Sequence, residues 1–306
     1  MQSRTIHLMG TFITTSLDHP DGDQILAETK DRLYDYNQRF SANDETSLLM
    51  QINHSAGTRF IQVPEDLYTL IKIGKQASID SHGALNIAIG PLIKQWHIGF
   101  KDAKVPSEEA IQEALSHIDP TKIELNDTER TVKLLDSGME IDLGAIAKGY
   151  FADKILEFWE KRGVQRGLIN LGGNVKVMGP SEHPDQLWRI GIQDPSKPRN
   201  TLLTSVMIQS GSVVTSGIYE RSLTVNGQPY HHIFDGESGY PIHNDIASVT
   251  IIAPKSLTCE IWTTRLFASA SATEALDRLN HLKMRGISGI IIDRDRKIYI
   301  ADSLKG

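Results

Sequence analysis

The stretch Ala145–Gly163, AIAKGYFADKILEFWEKRG, divides the chain into two textures. Ala147, Phe151, Ile155 and Phe158 recur at helical spacing, and Gly163 stands where a C′ glycine ends a helix. Upstream of it, helical patterns dominate. Thr5–Leu17 alternates and reads as an opening strand. Ile25, Leu33, Tyr36 and Phe40 then mark a helix over Asp23–Phe40, with Asp21 or Asp23 as its N-cap. A short helix is expected over Ser47–Asn53. Another begins at Pro64, carries Leu67, Leu70, Ile71 and Gly74, and ends near Gly83. A third is capped by Ser107 and runs through Ile118.

The remaining segments read as strands with a few late helices. Lys122–Leu125 and Thr131–Leu135 flank a turn at Asn126–Arg130. Short strands follow one another from Gly167 to Ala253, and Asn226-Gly227 is a strong hairpin signal among them. Helices near Ser256–Ala270 and Thr273–Leu282 and a terminal hairpin (Ile287–Asp293, Lys297–Ala301) close the chain. Without regular β-α-β alternation, the expected fold is α+β, with mostly antiparallel sheets and flanking helices in a single domain over 1–306.

Composition narrows the class. The chain has 306 residues, 38 acidic and 32 basic side chains, a formal charge of −6 and one cysteine. That length buries a core without a metal or disulfide staple. Cys259 alone excludes an internal disulfide and a cysteine-based zinc cluster. With no Lys/Arg block and an acidic balance, no nucleic-acid partner is expected. Arg4 is followed by polar residues rather than an apolar signal region, and no run of about 20 apolar residues occurs. A cytoplasmic protein without a membrane span is therefore expected.

Several catalytic templates are not met. Gly144-Ala145-Ile146-Ala147-Lys148-Gly149 lacks the Lys-Ser/Thr order of a Walker A loop, and G-x-G-x-x-G, H-E-x-x-H and G-x-S-x-G do not occur where they would need to. Four other stretches carry chemistry. Glu140–Tyr150 sets small residues and Lys148 at a helix start, which suits a phosphate, or equally tight packing with Lys148 in solvent. Asn170-Leu171-Gly172-Gly173-Asn174 is a turn or a place where a ligand approaches backbone. Thr215-Ser216-Gly217-Ile218-Tyr219 precedes Tyr230–Pro241, where His231 and His232 point to opposite faces if extended. Glu260 and Thr264 lie one turn apart on a helix and could bind a hard cation, or be a solvated pair.

Taken in order, these stretches resemble the ApbE family, the FAD:protein FMN transferases. Met9-Gly10-Thr11, Phe40-Ser41 with Ser47 and Asn53, and Gly90-Pro91-Leu92 with Trp96 are similar to its early motifs. Asp142-Leu143-Gly144 with Ala147-Lys148-Gly149-Tyr150 resembles D-x-G-x-x-A-K-G-Y. Asn170–Gly173 resembles N-L-G-G, Thr215-Ser216-Gly217 with Tyr219 resembles T-S-G-x-Y, and His232-Ile233 with Asp235, Gly239 and Pro241 resembles H-I-x-D…G-x-P.

The resemblance implies a Mg²⁺-dependent enzyme that takes FAD as substrate. It transfers FMN to a Thr or Ser hydroxyl in a D-G-x-x-[ST]-[GA]-like motif of a target protein and releases AMP. By position it implies metal ligation by Glu260, Thr264 and the Ala145 carbonyl. It makes His232 a base or orienter near the acceptor hydroxyl and lines the FAD cleft with Met9, Gly10, Asn170, Gly172, Gly173, Thr215, Ser216 and Gly217, while Lys148 supplies further positive charge as a catalytic residue. Two alternatives are an FAD pyrophosphatase giving free FMN and AMP, and a non-catalytic flavin-binding protein. The sequence departs from the family in having Glu260 for the usual Asp and Asn174 for the usual acid after N-L-G-G.

Overall fold

The computed structural model describes residues 1–304. The first elements are β1 (Gln2–Leu8), β2 (Thr11–Asp18), α1 (Gly22–Phe40), α2 (Leu48–His54) and β3 (Ile61–Gln62). Next come α3 (Glu65–Asp80), α4 (Gly90–Trp96), α5 (Glu108–Leu115), β4 (Ile123–Asn126), β5 (Thr131–Leu134) and α6 (Ala147–Lys161). Strands β6 (Arg166–Leu171), β7 (Asn174–Met178), β8 (Trp188–Gln193), β9 (Leu202–Ile208) and β10 (Gly211–Gly217) follow. The chain continues through β11 (Ser222–Val225), β12 (Gln228–His231), β13 (Ile246–Ala253), α7 (Ser256–Phe267) and α8 (Ala272–Asn280) to β14 (Ser288–Asp293) and β15 (Ile298–Ile300). This is an α+β protein in which every pair of bonded strands is antiparallel.

The chain gathers into two compact units. The first takes Met1–Asn37, Lys148–Gly217 and Asn244–Gly306 and is built on an eight-stranded sheet in the order β1-β2-β6-β7-β10-β13-β14-β15. On one face, Val175, Val177, Val213, Ile290 and Ile292 meet Ile190, Ile192, Val206 and Ile208 of the β8–β9 ribbon in a dry layer. Alternation turns Asn174, Lys176, Ser212 and Ser216 to the opposite face. There Ser216 Oγ donates to Thr263 Oγ1 on α7, and Cys259 of the same helix lies against the Ser212 carbonyl. Helix α6 is pinned to α1 by the stacked rings of Tyr36 and Phe151, 4.7 Å apart, and by Trp159 Nε1 donating to Thr29 Oγ1 at 2.8 Å.

The second unit takes Gln38–Ala147 and Ile218–His243 and holds the β3-β5-β4 sheet, the β11–β12 hairpin and helices α2 to α5. Its aromatic centre is Trp96, fully buried among Leu92, Ile98, Ile111, Ala114 and Phe234, with Tyr230 and Tyr240 packed against it. Trp96 Nε1 donates to the Gly239 carbonyl at 2.9 Å, tying α4 to the loop that follows β12.

The structure keeps most sequence expectations and changes two. Ser107 caps α5 as expected, its hydroxyl accepting from Ala110 N, and Ser47, expected as the first residue of its helix, caps α2 by accepting from Met50 N. The opening strand Thr5–Leu17 is instead a hairpin, broken at Met9-Gly10, where both residues have positive φ (54° and 71°). That is the left-handed pair a two-residue hairpin turn requires, and Gly10 was its one local sign. Helix α4 has no counterpart in the sequence reading, although Pro91 sits in its first turn, where proline is well placed.

Trp96→Phe keeps the apolar ring but orphans the buried Gly239 carbonyl. Chemical denaturation is expected to show a loss of about 1–3 kcal/mol; an unchanged unfolding midpoint would contradict this account of the unit's centre.

Candidate active site

Strand register collects the candidate flavin-binding residues at one end of the large sheet. Leu171 pairs with both Ile13 and Asn174, and Asn174 pairs with Val214. The Met9-Gly10 turn, Asn170, the Gly172-Gly173 turn and the Thr215-Ser216-Gly217 end of β10 therefore share one edge of the first unit. Gly172 and Gly173 form the hairpin turn that paired glycines suggest, with φ of 64° and 97°. A Cβ on Gly172 would stand 2.3 Å from Thr11 Oγ1, whereas one on Gly173 would meet nothing within 4 Å. Gly172 thus serves close chain packing, and Gly173 offers bare backbone on an open side. Asn170 Oδ1 accepts from Gly173 N at 2.8 Å and fixes the turn.

Beside this edge, α6 and α7 meet near their N-terminal ends. Gly149 is the third residue of α6, so its N–H has no acceptor within the helix. Here it donates to Glu260 Oε2 at 2.6 Å, while Lys148 Nζ lies 3.5 Å from Glu260 Oε1. Glu260 is only 3% exposed. Burial drives its carboxyl upward from the ordinary value, and Lys148, the Gly149 N–H and the Asn174 amide pull the other way without cancelling it. Thr264, one turn on, donates its hydroxyl to the Glu260 carbonyl at 3.2 Å. For the Glu140–Tyr150 stretch, the packing alternative holds in part. Gly149 is a packing glycine, and Lys148 is partly exposed but paired with Glu260 rather than left in solvent.

A magnesium ion fits the donor chemistry of this corner. Glu260 and Thr264 offer a carboxylate and a hydroxyl one turn apart, hard oxygen donors of the kind Mg²⁺ takes in small number from protein. The buried carboxylate has Lys148 as a loose countercharge. Lys148 at 3.5 Å is well outside the about 2.7–2.9 Å of a tight charge-assisted bond. Among the described residues, no group of three or more His, Cys, Asp and Glu side chains could hold a metal ion. A cation here would therefore rest on one carboxylate with neutral oxygens.

Ala145 and His232 belong to the second unit. Ala145 is exposed in the loop before α6, a loop shaped by Asp142 Oδ1 accepting from Gly144 N at 2.6 Å. Asn53 clamps the backbone just before it, donating to the Ile141 carbonyl at 3.0 Å and accepting from Ile141 N at 2.8 Å. The histidine pair divides, with His231 ending β12 and His232 just beyond the strand. His231 is buried, its Nε2 against the Ile242 carbonyl at 2.9 Å and its Nδ1 accepting from Ile233 N. His232 is more open, with Nδ1 3.2 Å from the Arg221 carbonyl. In a neutral ring that contact places the proton on Nδ1 and the lone pair on Nε2.

Comparison with known proteins shows the family. The ApbE family model matches residues 9–288. This chain belongs to the ApbE family. The FAD:protein FMN transferase of Klebsiella pneumoniae is 42% identical over 232 residues, 76% of this chain and 71% of the relative. That of Treponema pallidum is 38% identical over 239 residues, 74% of this chain and 66% of the relative. The crystal structure of the ApbE protein from Thermotoga maritima superposes with a TM-score of 0.89 at 28% identity, covering 99% of this chain and 98% of that one. The described residues thus have the fold of the ApbE proteins.

Asp153 and Lys176 escaped the sequence reading. Asp153 lies off the apolar stripe of α6, and Lys176 alternates with Val175 and Val177 as a solvent-facing residue would. Both are nevertheless largely buried, paired with one another beneath α7.

The raised Glu260 carboxyl sets a pH dependence. Its ionisation opposes folding, so stability falls as pH rises from the ordinary carboxyl value of 4.5 through the higher folded value. Glu260→Gln, which can still accept from Gly149, is expected to unfold at higher temperature than the unsubstituted metal-free protein at neutral pH. It should also flatten the pH profile in that window. Thermal unfolding without metal from about pH 4 to 8 checks this; a lower midpoint for the variant at neutral pH would contradict it.

Proposed function

We propose that this chain is a magnesium-dependent FAD:protein FMN transferase. It moves FMN from FAD to a Thr or Ser hydroxyl of a target protein in a D-G-x-x-[ST]-[GA]-like motif and releases AMP. The observation that carries this reading is the family match, with relatives named FAD:protein FMN transferase at up to 42% identity. The buried Glu260–Thr264 corner supports the metal, and the tautomer of His232 supports the base.

In the reaction, a bond forms between the acceptor oxygen and the phosphorus of FMN. The phosphoanhydride bond to AMP breaks, and AMP carries the negative charge away. The acceptor proton passes to His232 Nε2, the nitrogen left as an acceptor by the Arg221 carbonyl. Glu260 and Thr264 are the residues that would hold magnesium, with the Ala145 carbonyl as the further ligand implied by family resemblance. When bound, magnesium would neutralise pyrophosphate charge and stabilise the leaving phosphate. Lys148 adds positive charge beside Glu260. Gly173 leaves backbone open to the flavin nucleotide at the sheet edge, where Met9, Gly10, Asn170, Gly172, Thr215, Ser216 and Gly217 complete the cleft.

The test is incubation with FAD, Mg²⁺ and a target carrying the acceptor motif, followed by in-gel flavin fluorescence of the denatured target. Labelled target is expected. Free FMN and AMP without labelled target would replace transfer by hydrolysis, and intact bound FAD would make the protein a binder. His232→Ala is expected to lower transfer by at least about 100-fold while FAD binding persists; undiminished labelling would remove His232 from its role.

A further inference from the structure

We propose that Asp153 is a positioning residue for the helix that carries Glu260 and Thr264, setting the affinity for magnesium without touching the ion. This rests on the reading of Glu260 and Thr264 as metal ligands. Every helix begins with N–H groups that have no partner in the helix itself. The residue preceding α7, Lys255, makes no side-chain cap. Asp153 reaches across from α6 instead. Its Oδ1 accepts from Ser256 N at 2.9 Å, and its Oδ2 accepts from Leu257 N at 3.1 Å.

Further contacts leave this clamp little freedom. Lys176 on β7 pairs with Asp153 Oδ1 and also donates to the Pro254 carbonyl at 3.3 Å. Ser256 Oγ donates to Asn174 Oδ1 at 2.5 Å. Residues 254, 256 and 257 are thereby fixed to α6 and β7. The helix is also held in the reverse sense, since Glu260 of α7 accepts from Gly149 in the first turn of α6. Each helix thus supplies a carboxylate to the N-terminal turn of the other.

The position of the clamp gives it consequences beyond stability. Glu260 lies one turn from Ser256, and Thr264 lies two, on a rigid element with a rise of about 1.5 Å per residue. A shift at Ser256 is therefore passed undiminished to both oxygen donors. Magnesium demands near-ideal octahedral geometry, so a displacement that leaves the fold intact still weakens its site. A buried ion pair alone is weak evidence of stabilisation. Here both N–H groups that Asp153 accepts from belong to the helix of the ligands.

Two variants and two measurements test this. Asp153→Ala removes the clamp, and Asp153→Asn keeps its shape and one acceptor oxygen but loses the charge facing Lys176. The first measurement is the rise in thermal midpoint with Mg²⁺ concentration, without FAD; the second is FAD binding without metal, by quenching of flavin fluorescence. The Mg²⁺ concentration for half-maximal stabilisation is expected to rise by about 10-fold or more in Asp153→Ala and by less in Asp153→Asn, with FAD affinity unchanged. If Asp153→Ala does not fold, Asp153→Asn decides. An unchanged Mg²⁺ midpoint with a lower baseline stability overturns the proposal, as does a parallel loss of FAD binding. Absence of any Mg²⁺ effect on the unsubstituted protein overturns the metal reading and the proposal with it.

Discussion

Where α6 meets α7, a Cβ on Gly149 would stand 2.6 Å from the Ser256 carbonyl oxygen and 2.7 Å from Glu260 Oε2, closer than such atoms approach. Only a residue without a side chain lets the two helix starts come this near. That proximity allows Glu260 to accept from the Gly149 N–H, and it lets Asp153 reach the first turn of α7. Two carboxylates and two helix N-termini thus share one corner, an arrangement the positive end of a helix dipole favours. The residues assigned to magnesium depend on it for their place.

The same corner explains how an acidic chain can handle an anionic substrate. With a formal charge of −6, the molecule as a whole repels a dinucleotide. Attraction must come from local groups, and those proposed above are Lys148, backbone N–H groups at turns, and a cation held by Glu260. The Met9-Gly10 and Gly172-Gly173 turns and the end of β10 lie in register along one edge of the eight-stranded sheet. Cys259, next to Glu260, takes no part. Burial pushes its thiol well above the ordinary range, and it is shut away against Ser212.

What the sequence reveals here is what is local in the chain. The stripe of Ala147, Phe151, Ile155 and Phe158, the Ser107 cap and the Asn226-Gly227 hairpin depend on neighbours a few residues apart, and all are present. The spacing of Glu260 and Thr264 shows that they share a helix face, but the contact between Glu260 and Gly149 spans 111 residues and leaves no periodic trace. Lys176 reads as a surface residue because one face of a strand usually meets water; helices cover that face here, and the lysine meets Asp153. The Met9-Gly10 turn hides within a run whose alternation continues on both sides, so the hairpin looks like one long strand.

The central claim is that Glu260 and Thr264 hold a divalent ion in this corner. Anomalous diffraction from crystals soaked in Mn²⁺, which shares magnesium's preference for oxygen ligands, tests it most directly. The account predicts a manganese peak in contact with the Glu260 carboxylate and the Thr264 hydroxyl. A peak elsewhere with this corner empty would contradict it.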